Sequence, residues 1–231
     1  MLLKKGMKGL SVVRLQCQLK QMECHNEQIT GEFDDVTHTS VMMFQTLFDL
    51  TVDGLAGNNT NARLKKETKN AFFALFIHCS ATRVVDDLGP DWVVNLHTVK
   101  KGWSRPGYSD VITLDGKLHN IRKWDSDNNI SDWEYSFGVK GSTLLNRNSR
   151  HVVYMGGVEK DGSTPKDTRS EEQLKSLETY IKFTVLQNPN IIVLGHNQVQ
   201  KKACPSFYVP DYLKKIGIPS KNIAEFTHYK K

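Results

Sequence analysis

The stretch that most constrains the fold is Ala71-Phe-Phe-Ala-Leu-Phe-Ile77, an uncharged apolar run followed at once by His78. A run this short and this rich in aromatic residues reads as a strand, and its lack of any polar position requires cover on both faces. The chain beyond it alternates accordingly. Pro90 sits where an N1 proline opens a helix through Trp92, Val93, Leu96 and Val99. Gly107 to Leu118 reads as strand, Asp-Gly turn, strand, and His151 to Met155 and Ile191 to Leu194 are further short strands. Ser170-Glu-Glu-Gln173 is a capping box, and Leu174, Leu177, Ile181 and Val185 behind it form one apolar helix face. Residues 71–231 are therefore expected to form an α/β domain, a mixed β-sheet covered by helices.

Residues 1–64 have a different texture. Leu10, Val13, Leu15 and Leu19 recur at helical spacing, as do Val41, Phe44, Leu47 and Phe48. Gly31-Glu-Phe-Asp-Asp-Val-Thr37 is echoed by Asp53-Gly-Leu-Ala-Gly57-Asn-Asn-Thr60, and in each a glycine turn leads to a threonine that can cap a helix. The pattern predicts a small three-helix all-α unit. Lys65-Lys-Glu-Thr-Lys-Asn70 is charged and without apolar period, and reads as a linker. Residues 119–150 are long, polar and hold Trp124, Trp133 and Tyr135. A loop of that length is functional or mobile, and its aromatic side chains either line a groove or anchor the loop to the core.

Several classes of function are disfavoured. No apolar run approaches the roughly 18 to 20 residues that span a bilayer, so no stable membrane insertion is expected. Met1-Leu-Leu-Lys-Lys-Gly lacks the apolar segment of a signal peptide, which predicts synthesis in the cytoplasm. The net charge of +6 suits an anionic polymer, but the lysines come in scattered pairs, which reads as solvated surface and not as a nucleic-acid groove. Cys17 and Cys24 on one helix would be about 10.5 Å apart along its axis, too far to bridge, so reduced cysteines are expected.

The chemistry concentrates at strand ends. His78 closes the first apolar strand, His196 follows Val193-Leu-Gly, and Cys204 lies in Lys201-Lys-Ala-Cys-Pro-Ser-Phe207. Taken singly, each histidine reads as a hydrogen-bonded structural residue, and Cys204 could be a metal ligand, a nucleophile or a buried thiol. Together, two imidazoles and a thiolate make a three-ligand zinc site with an open fourth position. Cys79 points to the face opposite His78. His25, His38, His97, His119, His151 and His228 lack any such pattern.

Two families are resembled. Leu3-Lys-Lys-Gly6, Val12-x-x-Leu15-Gln16-x-x-Leu19, Gly31-x-Phe33-Asp34-x-x-Thr37-x-x-x-Val41-x-x-Phe44-Gln45 and Leu50-x-Val52-Asp53-Gly54-x-x-Gly57-x-x-Thr60-x-x-x-Leu64 look like the peptidoglycan-binding module of wall hydrolases. Phe76-Ile-His-Cys-Ser-Ala-Thr82, Gly102-Trp103, Gly107-Tyr108-Ser-Asp-Val-Ile112, Gly156-Gly157, Gly195-His196 and Lys202-Ala-Cys-Pro-Ser-Phe207 resemble the zinc-dependent type-2 N-acetylmuramoyl-L-alanine amidases, especially the small phage lysozymes related to peptidoglycan recognition proteins. The resemblance implies Zn2+ on His78, His196 and Cys204, with Tyr108 and Lys202 as catalytic residues. It also implies a monomeric phage endolysin that acts on bacterial peptidoglycan after release from the host cytoplasm. A cellular wall-recycling amidase, or a non-catalytic recognition protein on the same fold, is the alternative. Two positions depart from the pattern. Ser109 stands where the family has histidine, and a substrate-facing histidine has no equivalent between Gly138 and Asn148.

Overall fold

The computed structural model describes residues 1–226, so His228 and the rest of 227–231 lie outside the described residues. Three helices come first: α1 (Leu10–Gln21), α2 (Asp35–Leu47) and α3 (Asn58–Glu67). Val12, Leu15 and Leu19 of α1 meet Val41 and Phe44 of α2 and Leu64 of α3 around a closed apolar centre. The internal echo is built on two glutamines. Gln16 donates from Nε2 to Thr37 Oγ1 at 2.8 Å and accepts from Gly31 N at 2.9 Å. Gln45 does the same with Thr60 Oγ1 at 3.1 Å and Gly54 N at 2.9 Å. The threonines therefore sit inside the first turns and take these clamps, whereas the caps are the Asp34 side chain for α2 and Gly57 for α3.

The first half of the expected linker is helical, because α3 continues through Lys65 and Lys66 to Glu67. The second part then supplies β1 (Ala74–Cys79), α4 (Pro90–Asn95) running into a π-helical turn at Leu96–Lys100, β2 (Asp110–Ile112) and β3 (Leu118–Asn120). These are followed by α5 (Thr143–Arg147), β4 (Ser149–Tyr154), α6 (Glu171–Gln187), β5 (Ile192–Gly195), α7 (His196–Val199) and α8 (Val209–Lys215). Pro90 does occupy the first helical position. The capping box forms as read, with Ser170 Oγ accepting from Gln173 N and Gln173 Oε1 accepting from Ser170 N, each at 3.0 Å.

The five strands make one mixed sheet in the order β3-β2-β4-β1-β5, parallel throughout except for the antiparallel β2–β3 pair. Every residue of β1, β4 and β5 is buried, including Arg150 of β4, which is paired with Asp110 at 2.7 Å. One face carries Leu75, Ile77, Val152 and Val193 against Leu177 and Ile181 of α6 and Val209 and Leu213 of α8. The other carries Ala74, Phe76, Ile192 and Leu194, and it packs on Val13 and Cys17 of α1 and on Ile29. The N-terminal helices thus complete the cover of the sheet. Ile29 bridges to Ala224, and Gln21 Nε2 donates to Asn190 O at 3.2 Å.

All four cysteines are free, and α1 ends before Cys24, which belongs to the three-helix core while Cys17 faces the sheet. Among the described residues no helix is long and apolar enough to cross a membrane.

Candidate metal centre

In a parallel sheet, side chains at the carboxyl ends of neighbouring strands converge beyond the sheet edge. His78 lies near the end of β1, and His196 directly follows β5, the neighbour of β1. Their ring centroids are 4.7 Å apart. The loop after α7 returns Cys204 to the same point, where its Sγ lies 3.7 Å from His78 Nδ1 and accepts from Cys79 N at 3.3 Å. The ligand atoms of His78, His196 and Cys204 all lie within 4.8 Å of one another. A tetrahedral zinc sets its nitrogen and sulfur ligands roughly 3.3 to 3.6 Å apart, so the trio fits that ion with little movement. Cys79 has its side chain on the opposite face, where Sγ lies 3.6 Å from Ser206 Oγ, as strand alternation predicts.

Electrostatics favour neutral imidazoles. Burial holds His78 well below the usual histidine range, helped by His196, His151 and Lys202. Burial also lowers His196, and Lys202 adds to this, while a hydrogen bond to Gln200 works the other way. Unprotonated nitrogen is the form a metal requires. Burial and the neighbouring Cys79 thiol push the Cys204 thiol up, and a bound cation would reverse this because a coordinating thiol deprotonates.

Beside the trio opens a cleft of about 770 Å³. Tyr108, Lys202 and His196 line it, with Trp103, Tyr135 and Phe137 as aromatic walls and Lys101, Lys140 and Arg147 as further cations. Among the described residues lining it there is no carboxylate. Tyr108 leans on His78 with centroids 5.0 Å apart, and burial keeps its hydroxyl protonated far above the usual phenol range. The long loop divides its aromatic residues between both expected roles. Tyr135 lines the cleft, while Trp124 packs edge-on against Phe72 at 5.8 Å and under the Arg150 guanidinium at 4.9 Å, anchoring the loop. Trp133 does neither and stays half exposed. Glu134 is buried and accepts from Ser131 N at 2.7 Å and Asp125 N at 3.1 Å, which makes it a loop staple.

Three residues escaped the motif reading. His97 stacks flat on Trp103 with centroids 4.8 Å apart and accepts from Gly107 N at 3.2 Å, shaping the approach to Tyr108. His151 and Gln200 touch the two converging histidines, with His151 Nδ1 3.0 Å from His78 Nε2 and Gln200 Oε1 2.8 Å from His196 Nε2. Ser109, in the position of an expected histidine, is buried and exchanges hydrogen bonds with the His151 backbone and Ser136 Oγ.

Comparison with known proteins agrees with both halves. Residues 8–64 match the family model "Putative peptidoglycan binding domain". The endolysin of Klebsiella phage KP32 is 29% identical over 133 residues, covering 58% of this chain and 80% of its own. The spore cortex-lytic enzyme of Bacillus cereus is 37% identical over 67 residues, 29% of this chain and 26% of its own. Among solved structures, the Ph2119 endolysin from the Thermus scotoductus bacteriophage Ph2119 aligns at 19% identity with a TM-score of 0.49, covering 64% of this chain and 86% of that one.

Proposed function

We propose that this chain, which joins a peptidoglycan-binding type of module to a domain similar to phage endolysins, is a zinc-dependent hydrolase of peptidoglycan. On this reading it cuts the amide between N-acetylmuramic acid and L-alanine, and it serves a phage in lysis. We divide it into a binding module, residues 1–64, and a catalytic domain, residues 71–231. The observation that carries the reading is the convergence of His78, His196 and Cys204 beside a cationic cleft that His196 itself lines. Glycoside hydrolysis normally needs two carboxylates flanking the bond, and the cleft offers none among the described residues.

Zinc held by the trio would lower the pKa of a water to about 7 and polarise the scissile carbonyl. The chain's own groups do the rest. Tyr108 presents a protonated hydroxyl beside His78 and can donate to the oxygen that gains charge. Lys202 brings a cation to the same wall of the cleft. Lys101, Lys140 and Arg147 complement the carboxylates of a wall peptide, and the aromatic walls cover sugar and peptide faces.

The test is digestion of purified sacculi followed by mass spectrometry. New α-amino groups on alanine with an unchanged reducing-sugar titre are expected, and chelation should abolish the reaction until zinc is restored. Cys204→Ser should retain zinc poorly, since a serine hydroxyl is a weak ligand beside a thiolate. Fresh reducing ends without alanine amines would make the chain a glycosidase.

A further inference from the structure

We propose that His151 and Gln200 decide which nitrogen of each ligand histidine faces the metal, committing both His78 and His196 to coordination through Nδ1. The inference rests on the zinc-hydrolase reading above and adds two positioning residues to it. His151 pairs in register with Phe76, two residues before His78 on β1, so it lies on the same face of the sheet as His78 and one step deeper. Its Nδ1 meets His78 Nε2 at 3.0 Å. Two neutral imidazoles in that contact need one donor and one acceptor. His78 Nδ1 looks toward Cys204 Sγ, 3.7 Å away, and a metal there requires that nitrogen bare. The His78 proton is then on Nε2, and His151 Nδ1 accepts it.

The same assignment puts the His151 proton on its own Nε2, which has no hydrogen-bond partner among the described residues although the side chain is wholly buried. The ring lies flat on Phe76, with centroids 5.0 Å apart and planes 12° from parallel. A residue placed here for packing alone would be apolar, since an unpaired buried N–H costs free energy that a leucine avoids. What leucine cannot do is accept from His78. The facing loop leaves room for this ring at Gly138, where a Cβ would overlap the imidazole.

Gln200 treats His196 in the same way. Its Nε2 donates to Lys140 O at 2.7 Å, so its Oε1 is the end left to accept from His196 Nε2, at 2.8 Å. Each ligand histidine therefore has Nε2 engaged and Nδ1 free, one through an imidazole and the other through an amide tied to the cleft wall. Groups that hold a ligand histidine in one tautomer raise metal affinity by about 10- to 100-fold.

The experiment uses the full-length chain loaded with zinc. Long-range proton–nitrogen NMR should find His78 and His196 protonated on Nε2 and bound through Nδ1, with His151 unprotonated on Nδ1. Chelator competition should then rank zinc affinity as wild type, then His151→Asn, then His151→Leu, with the leucine variant about 10- to 100-fold weaker. Asparagine keeps an acceptor near the place of Nδ1, whereas a packing role would favour leucine and reverse the order of the two variants. Equal affinities, the reversed order, or coordination through Nε2 overturns the inference. The tautomers of the wild type decide it even if a variant fails to fold. Wild-type protein that binds no zinc overturns the metal reading itself, which separates the two failures.

Discussion

On the proposed function, Tyr108 and Lys202 stand beside the candidate ligands His78, His196 and Cys204 without belonging to them, so their removal should separate rate from binding. Tyr108→Phe deletes a hydroxyl that burial, and then the Cys204 and Cys79 thiols, hold in its protonated form. Lys202→Ala deletes a cation from an exposed position on the cleft wall. Loss of one such donor to developing charge typically costs about 100- to 1,000-fold in turnover. Both variants should keep one zinc per chain by metal analysis while hydrolysing soluble muropeptides at that reduced rate. A variant that is inactive only because its zinc is gone would remove that residue from the catalytic step. That His78, His196 and Cys204 come together was legible in the sequence because His78 and His196 each follow a strand signal and Cys204 lies in the loop shortly after His196. His151 could not, since 73 positions separate it from His78 and only the β1–β4 register brings the rings together. Gln200 was hidden for a related reason: an amide becomes meaningful only once its contact with the histidine four residues earlier is seen.

At the level of elements, the threonines expected to cap the helices are instead held by two glutamine clamps, Gln16 on Thr37 and Gln45 on Thr60. Gln45 uses both ends of its amide at once. It donates to Asp53 Oδ1, Leu55 O and Thr60 Oγ1 and accepts from Asp53 N and Gly54 N, so helix, turn and next helix share one buried group. Gly54 has φ +68° and lies against the His38 ring, so any side chain there would strain the turn that Gln45 holds and push the ring aside. Gln45→Ala would strand several of these partners and should lower stability by about 1 to 3 kcal/mol, measured as a shifted urea midpoint with unchanged zinc content. A change under about 0.5 kcal/mol would mean that the backbone holds the turn unaided. Helices and strands were legible here because apolar period and capping chemistry are local. The helical character of Lys65 to Glu67 was not, because its charged residues show no periodic face and α3 is stabilised by Leu64 and by Gln18 Nε2 donating to Thr68 Oγ1 at 2.8 Å.

The whole molecule departs most from what two separate segments would suggest. Val13, Cys17 and Ile29 lie under the same sheet face as Phe73, Phe76, Ile192 and Leu194, so one apolar layer belongs to both halves. Ile29→Ala should cost about 2 to 5 kcal/mol. For a chain of this size that lowers the melting temperature by roughly 4 to 20 °C. The wild type should melt in a single transition by calorimetry, and two well-separated transitions would show that the shared layer does not couple the halves. Sequence texture marked the change at residue 64 but carried no sign of this contact, since the apolar residues of α1 look the same whichever surface they face. On the proposed function, the docking of α1 against the sheet has a geometric consequence. A cutter on a slack leash can reach any bond within a sphere around its anchor, whereas this one works like a pair of calipers set to a single opening. Early cuts in an intact wall should therefore fall at one preferred spacing from each point of attachment.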